Sequence, residues 1–95
     1  MMKNVLENNQ TAFEIGRDYL IRTVTMIDTG TVVAVNNHEV VLENAAWIAD
    51  TGRFSDALES LSFNEVEPFP DGLVIVGRGA IIDAVPIKKS PREQK

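Results

Sequence analysis

Asp50, Arg53 and Asp56, with Glu43 a few residues earlier, bring acids and a base close enough in the chain to suggest an acid/base cluster. Paired carboxylates beside a cation can exchange protons with a substrate. No nucleophile, glycine-rich phosphate loop or His-x-x-x-His spacing accompanies them, and helix capping and surface solvation account for the same residues. The chain has no cysteine and one histidine. Thiol catalysis, Cys-held zinc, iron–sulfur clusters and any multi-His metal site within one copy are therefore excluded. The expectation is a protein that is not an enzyme and uses no metal or cofactor. Two other spots draw notice: Arg78 between Gly77 and Gly79, and the run Asn36-Asn37-His38. Each also has a plain structural explanation, as the tip of a turn and as a hairpin turn. Trp47 with Phe54 and Phe69 could form an aromatic contact patch or simply cover the edge of a core.

The frame that must hold these residues is small. Ninety-five residues, 44% of them hydrophobic, make one domain with one core. A domain of this size buries roughly two-thirds of its unfolded surface, so association with further copies would add needed stability. A net charge of −5, from 14 acidic and 9 basic residues, argues against nonspecific coating of nucleic acid. A local basic site remains compatible with it. No apolar run reaches the ~18 residues a membrane span requires, and residues 1–10 are polar and asparagine-rich, unlike a secretory signal. Without cysteines, a cytoplasmic or similarly reducing setting is the expectation.

Thr11 and Glu14 have capping-box spacing, so a helix is expected within residues 1–16, ended by Gly16. From Tyr19 to Ile27 the pattern alternates and is rich in β-branched residues, which predicts a first strand. Asp28-Thr29-Gly30 reads as a turn into a second strand, Thr31 to Val35. Asn36-Asn37 reads as a hairpin turn with left-handed asparagine, leading to a third strand, His38 to Ile48. That strand would place Val40, Leu42, Asn44, Ala46 and Ile48 on one face and Val41, Glu43, Ala45 and Trp47 on the other. Both faces are largely apolar, which suits a strand bending around a barrel, with Ala45-Ala46 the easiest place to bend. An insertion follows from Asp50 to Pro70: a short helix, Asp56 to Leu61, capped by Ser55, then an exposed connection from Asn64 to Gly72. Leu73 to Val76 and Ala80 to Val85 are short apolar strands meeting at Gly77-Arg78-Gly79. Lys88 to Lys95, with four basic residues, reads as a mobile tail.

The segment from Gly30 to Ala45, opening Gly-Thr-Val-Val-Ala-Val and closing Val-Val-Leu-Glu-Asn-Ala, resembles the first motif of the Sm-like (LSm) proteins. Leu73-Val74-Ile75-Val76-Gly77-Arg78-Gly79-Ala80-Ile81-Ile82-Asp83-Ala84-Val85-Pro86 is similar to the second, an apolar strand, an Arg-Gly corner, another apolar strand and a closing proline. The likeness covers roughly residues 12 to 87 and rests on the order of elements more than on single residues. It implies a mainly β fold, a small, strongly bent five-stranded SH3-like barrel with an N-terminal helix, to which this chain adds the short helix of an insertion between strands three and four that is longer than in many members of the family. It also implies a homo-oligomeric ring, a hexamer or heptamer, closed by pairing of the last two strands across neighbours. Leu73, Val74, Ile75, Val76, Ile81, Ile82 and Val85 would form that interface, and their apolar character agrees, since free edges of this kind are sticky.

Within the resemblance, Arg78 and Gly79 match the corner at the ring pore that holds a base of single-stranded RNA, a role suited to a planar guanidinium. Asn36, Asn37 and His38 fall where the family completes the nucleotide pocket. Here that loop is about one residue shorter, the family's aspartate has no counterpart, and Glu39 stands in place of its asparagine. An anion at Glu39 repels phosphate, while His38 can still stack on a base. Two functions therefore stand side by side: binding of short single-stranded RNA at the pore, or a structural or assembly ring, such as a phage particle uses, that binds proteins and no RNA. In either, the acidic insertion from Asp50 to Pro70 could project from the ring and dock a protein partner.

Overall fold

The computed structural model describes residues 11–95. Three long strands rich in β-branched residues form a meander: β1 (Asp18–Thr23), β2 (Ile27–Val35) and β3 (Glu39–Asp50). Helix α1 (Phe54–Ser60) follows, then β4 (Glu65–Pro68), β5 (Val74–Gly77), a single 3-10 turn (Arg78–Ala80) and β6 (Ile81–Pro86). All pairings are antiparallel within one six-stranded sheet of order β4-β3-β2-β1-β6, with β5 also on β3. The protein is thus mainly β, and among the described residues the one α-helix lies in the insertion after the third strand. β5 and β6 share no ladder, so the sheet is not closed on itself, although only the 3-10 turn separates them.

Several local expectations are corrected by hydrogen bonding. Residues 1–10 of the expected N-terminal helix lie outside the described residues, and residues 11–16 are not helical. Thr11 Oγ1 accepts the N–H of Phe13 at 3.2 Å, and the Glu14 N–H that a capping box needs goes to the Tyr19 hydroxyl at 2.9 Å. The first hairpin turns at Val24–Met26, not at Asp28-Thr29-Gly30. Thr23 closes it, donating its N–H to Met26 O at 2.8 Å and accepting the Met26 N–H on Oγ1 at 2.9 Å. Gly30 is instead a strand residue in close contact with β3: a Cβ there would lie 2.9 Å from Leu42 Cβ and 3.0 Å from Glu43 O.

β3 changes face midway. Asn44 has φ 54°, a left-handed conformation inside a strand, and the β2 register slips by one residue around it. Val40 and Leu42 therefore face one cluster, with Tyr19, Ile21, Val32, Ala45 and Val76, while Ala46 and Ile48 face another, with Leu20, Ala57, Phe63, Val66 and Ile87. Simple alternation would have put Leu42 and Ile48 on one side. At the same point β3 exchanges β5 for β4 as its partner. The intervening loop folds tightly against the bulge, with Ala45 N–H on Gly72 O at 2.8 Å and Phe69 N–H on Ala45 O at 3.0 Å. Gly72 sits there at φ 72°, where a side chain would be strained.

The second cluster explains the insertion. Residues 64–72 include β4 and are not merely an exposed connection: Val66 is buried and paired with Ile48. Ser55 does not cap the helix; it lies in the first turn, Arg53 is the N-cap without a side-chain bond, and Leu61 closes the far end at φ 59°. The insertion thus packs Ala57, Phe63 and Val66 against Leu20, Ala46 and Ile48 of the sheet. Nor do residues 88–95 stand away from the domain. Ser90 is buried and donates its N–H to Asp18 Oδ2 at 2.8 Å, and Lys95 and Val66 exchange two backbone hydrogen bonds of 2.9 Å. Among the described residues no helix is long and apolar enough to cross a membrane.

Candidate functional site

The β2–β3 hairpin and the β5–β6 corner meet at one end of the sheet. Asn36 builds the hairpin loop with its side chain, Oδ1 accepting the N–H groups of His38 at 2.7 Å and Glu39 at 2.8 Å. Neither asparagine adopts the left-handed conformation expected of the turn, because this Asx geometry makes it unnecessary. Across the corner, Arg78 donates its backbone N–H to His38 O at 2.9 Å and its Nη1 to Asn36 O at 2.6 Å. Arg78, 42 positions further along the chain, therefore holds the hairpin in place.

Of the residues expected to contact RNA, the structure brings together Asn36, His38 and Arg78, with Asn37 and Gly79 exposed beside them. One guanidinium nitrogen of Arg78 is engaged, and among the described residues it forms no ion pair. Glu39, opposite Gly77 in the ladder, adds an exposed carboxylate at the rim. The corner can thus offer guanidinium donors and an imidazole, in a local field that a carboxylate partly cancels.

The interface candidates divide by position. Val76 is a core residue, while Val74, Ile81 and Val85 are half-buried. Leu73, Ile75 and Ile82 remain 53%, 62% and 64% exposed. β5 pairs only with β3 and β6 only with β1, so each keeps one edge without a ladder among the described residues. A Cβ at Gly77 or Gly79 would meet nothing within 4 Å, so no packing inside the chain calls for glycine at either position.

The acidic group does not converge. Asp50 Oδ1 accepts the Gly52 N–H at 2.8 Å, Arg53 Nε stands 4.0 Å from Asp56 Oδ2 with both side chains exposed, and Glu43 lies opposite Thr31. No three His, Asp or Glu side chains gather as a metal site among the described residues. The aromatic patch is also divided, since Phe54 packs on the second cluster and Phe69 on the first.

The strongest polar contact escaped the sequence reading. Arg22 and Asp83 face each other across β1 and β6, and the Arg22 guanidinium lies 5.2 Å from the centre of the Phe54 ring. The hydrogen bond from Arg22 and its charge hold the Asp83 carboxyl below the usual range, and Asp83 in turn raises Arg22. Burial pushes Asp28, in β2, the other way, above the ordinary carboxylate value. Strand periodicity could place these residues on strands, but partners 61 positions apart are set by register, which no local signal encodes.

No family model, curated protein or solved structure matches this chain.

Proposed function

We propose that the chain is a ring-forming module of Sm-like type, not an enzyme, whose copies join head to tail by pairing β5 of one with β6 of the next. The observation that carries this reading is the pair of edges without a ladder among the described residues, where Ile75, Ile82 and the adjoining Leu73 stand exposed. Each edge holds a row of backbone donors and acceptors beside large aliphatic side chains, the arrangement that another strand completes. The two edges differ, so their contact is heterologous and a fixed rotation closes it into a hexamer or heptamer. In this reading the sheet, tied end to end by the 3-10 turn, is a partly open barrel that the neighbours finish. Light scattering coupled to size exclusion tests it: six or seven times the monomer mass for the native chain, and a folded monomer for Ile75→Lys or Ile82→Lys. A monomeric native chain at micromolar concentration sinks the proposal.

A second reading, that the ring binds short single-stranded RNA, is favoured by the convergence of Arg78 with Asn36 and His38. Bases would stack on His38 or Arg78 near the exposed glycine. Fluorescence anisotropy with uridine-rich and adenine-rich oligomers at low salt should show salt-sensitive binding that Arg78→Ala removes. If neither oligomer binds, the ring is a structural or assembly component whose ligands are proteins, and the acidic surface of the insertion is the first place to look.

A further inference from the structure

A groove of about 470 Å³ runs between the segment leading into β1 and the strand β6. This is the size of many small-ligand sites, which span roughly 300–1,000 Å³. Its lining combines two chemistries. Ile81 and Ala84, which pack on the first cluster, give an apolar floor, and Phe13 meets Tyr19 edge to face, ring centres 5.1 Å apart. Arg17 and Arg78, far apart in sequence, both line the same groove. Each is only partly engaged: Arg17 Nη1 lies 3.3 Å from Glu14 Oε2, and Arg78 Nη1 donates to Asn36 O. A guanidinium carries five N–H donors, so among the described residues both keep a fork without a partner.

We propose that this groove binds a nucleoside 5′-phosphate, free or as the terminus of a short strand. The flat base lies on the apolar floor beside Phe13, and the phosphate is shared between Arg17 and Arg78. Two forks suit a dianionic phosphate better than a carboxylate of single charge. Glu14, also in the lining, accepts from a ribose hydroxyl or a base amino group. The site shares Arg78 with the RNA reading and does not depend on ring formation.

Titration of the isotope-labelled full chain with adenosine monophosphate, adenosine and inorganic phosphate, followed by amide NMR shifts, tests the groove. The monophosphate should move Phe13, Arg17, Tyr19 and Ala84 and bind more tightly than adenosine or phosphate alone. Arg17→Ala should weaken it by about tenfold, the loss of one charge-assisted contact. Ala12→Trp, a change at an exposed position in the lining, should block the groove without touching the core. Thr25→Ala, at an exposed position of the first hairpin outside the groove lining, should leave the affinity unchanged. A 5′-phosphorylated adenine trinucleotide distinguishes the sources: tighter binding than the mononucleotide, with the same dependence on Arg17, identifies a strand terminus, and equal binding identifies the free nucleotide. Shifts confined to Asn36–Glu39, phosphate binding as tightly as the nucleotide, or indifference to Ala12→Trp would overturn the assignment. Oligomer binding that depends on Arg78 but not on Arg17 supports the corner reading and sinks this one.

Discussion

Arg22 and Asp83 form a two-pronged ion pair across β1 and β6, Nε to Oδ1 at 2.8 Å and Nη2 to Oδ2 at 2.5 Å. The pair ties β6, the last strand in the described sheet order, to the meander, and the cation also covers Phe54 of α1. Because Asp83 has a lowered pKa in the folded chain, its contribution to stability is present above the ordinary aspartate value, about 3.9, and is lost as pH falls through the folded one. NMR titration should find Asp83 ionising below the ordinary aspartate value, and Arg22→Ala should return it to the ordinary range. The variant's deficit in thermal stability should be visible at pH 7 and shrink at low pH; a deficit independent of pH would show that packing on Phe54 dominates.

Asp28 carries the opposite sign. It is only 8% exposed, and desolvation raises its pKa. Its protonated form is the one the fold favours, so its contribution is complete below the unfolded value and is lost as pH rises through the folded one. Asp28→Asn should therefore raise the urea midpoint at pH 7, corresponding to a gain in unfolding free energy on the order of 0.5–1 kcal/mol, with a smaller gain at pH 4. A lower midpoint at pH 7 would mean that the carboxylate has a partner that the asparagine cannot replace.

Gly30 tests the close approach of β2 to β3. With a Cβ facing Leu42 Cβ at 2.9 Å, Gly30→Ala must push the strands apart, at a cost of about 1–3 kcal/mol. In a domain of this length each kcal/mol lowers Tm by roughly 4–8 °C. Calorimetry on Gly30→Ala and on Gly79→Ala, where the added methyl meets nothing, gives the contrast: a large fall for the first and a change within about 0.5 kcal/mol for the second.

Asp18 anchors the C-terminal segment. Its Oδ1 accepts the Thr31 hydroxyl at 2.5 Å and its Oδ2 the Ser90 N–H, while its carbonyl accepts Ile87 N–H at 3.0 Å. Asp18→Ala should free residues 88–95 more than it unfolds the sheet, leaving Thr31 and Ser90 each without an acceptor at a cost of about 1–3 kcal/mol. Hydrogen exchange should show Ser90 and Lys95 losing protection while Leu20 and Val32 keep theirs.

How much of this was legible beforehand depended on the range of the forces involved. Alternating β-branched runs marked the three long strands, the paired apolar runs around Gly77-Arg78-Gly79 marked β5 and β6, and the polar interval after Ile48 marked the helix in the insertion, because each signal lies within a few residues of chain. The corner of the candidate site was legible only as two separate turns. Their contact, Arg78 to Asn36, joins residues whose proximity depends on how the sheet curls.

Composition and local pattern alone determined that this is a small β-rich chain without thiol chemistry, carrying two apolar strands at its end and a polar break in its middle. Tertiary structure decided where the first hairpin turns, which side of the sheet Ile48 faces, that β4 exists, and that residues 88–95 lie against the domain. The physical reason is common to all four. Thr23 and Met26 outcompete the glycine turn because Gly30 is needed against Leu42, and the bulge at Asn44 reverses every later side chain on β3. Val66 becomes a strand residue only because Ile48 then faces it, and Lys95 can dock only once Val66 is in place. Such choices depend on the partner strand, which no window of neighbouring residues contains.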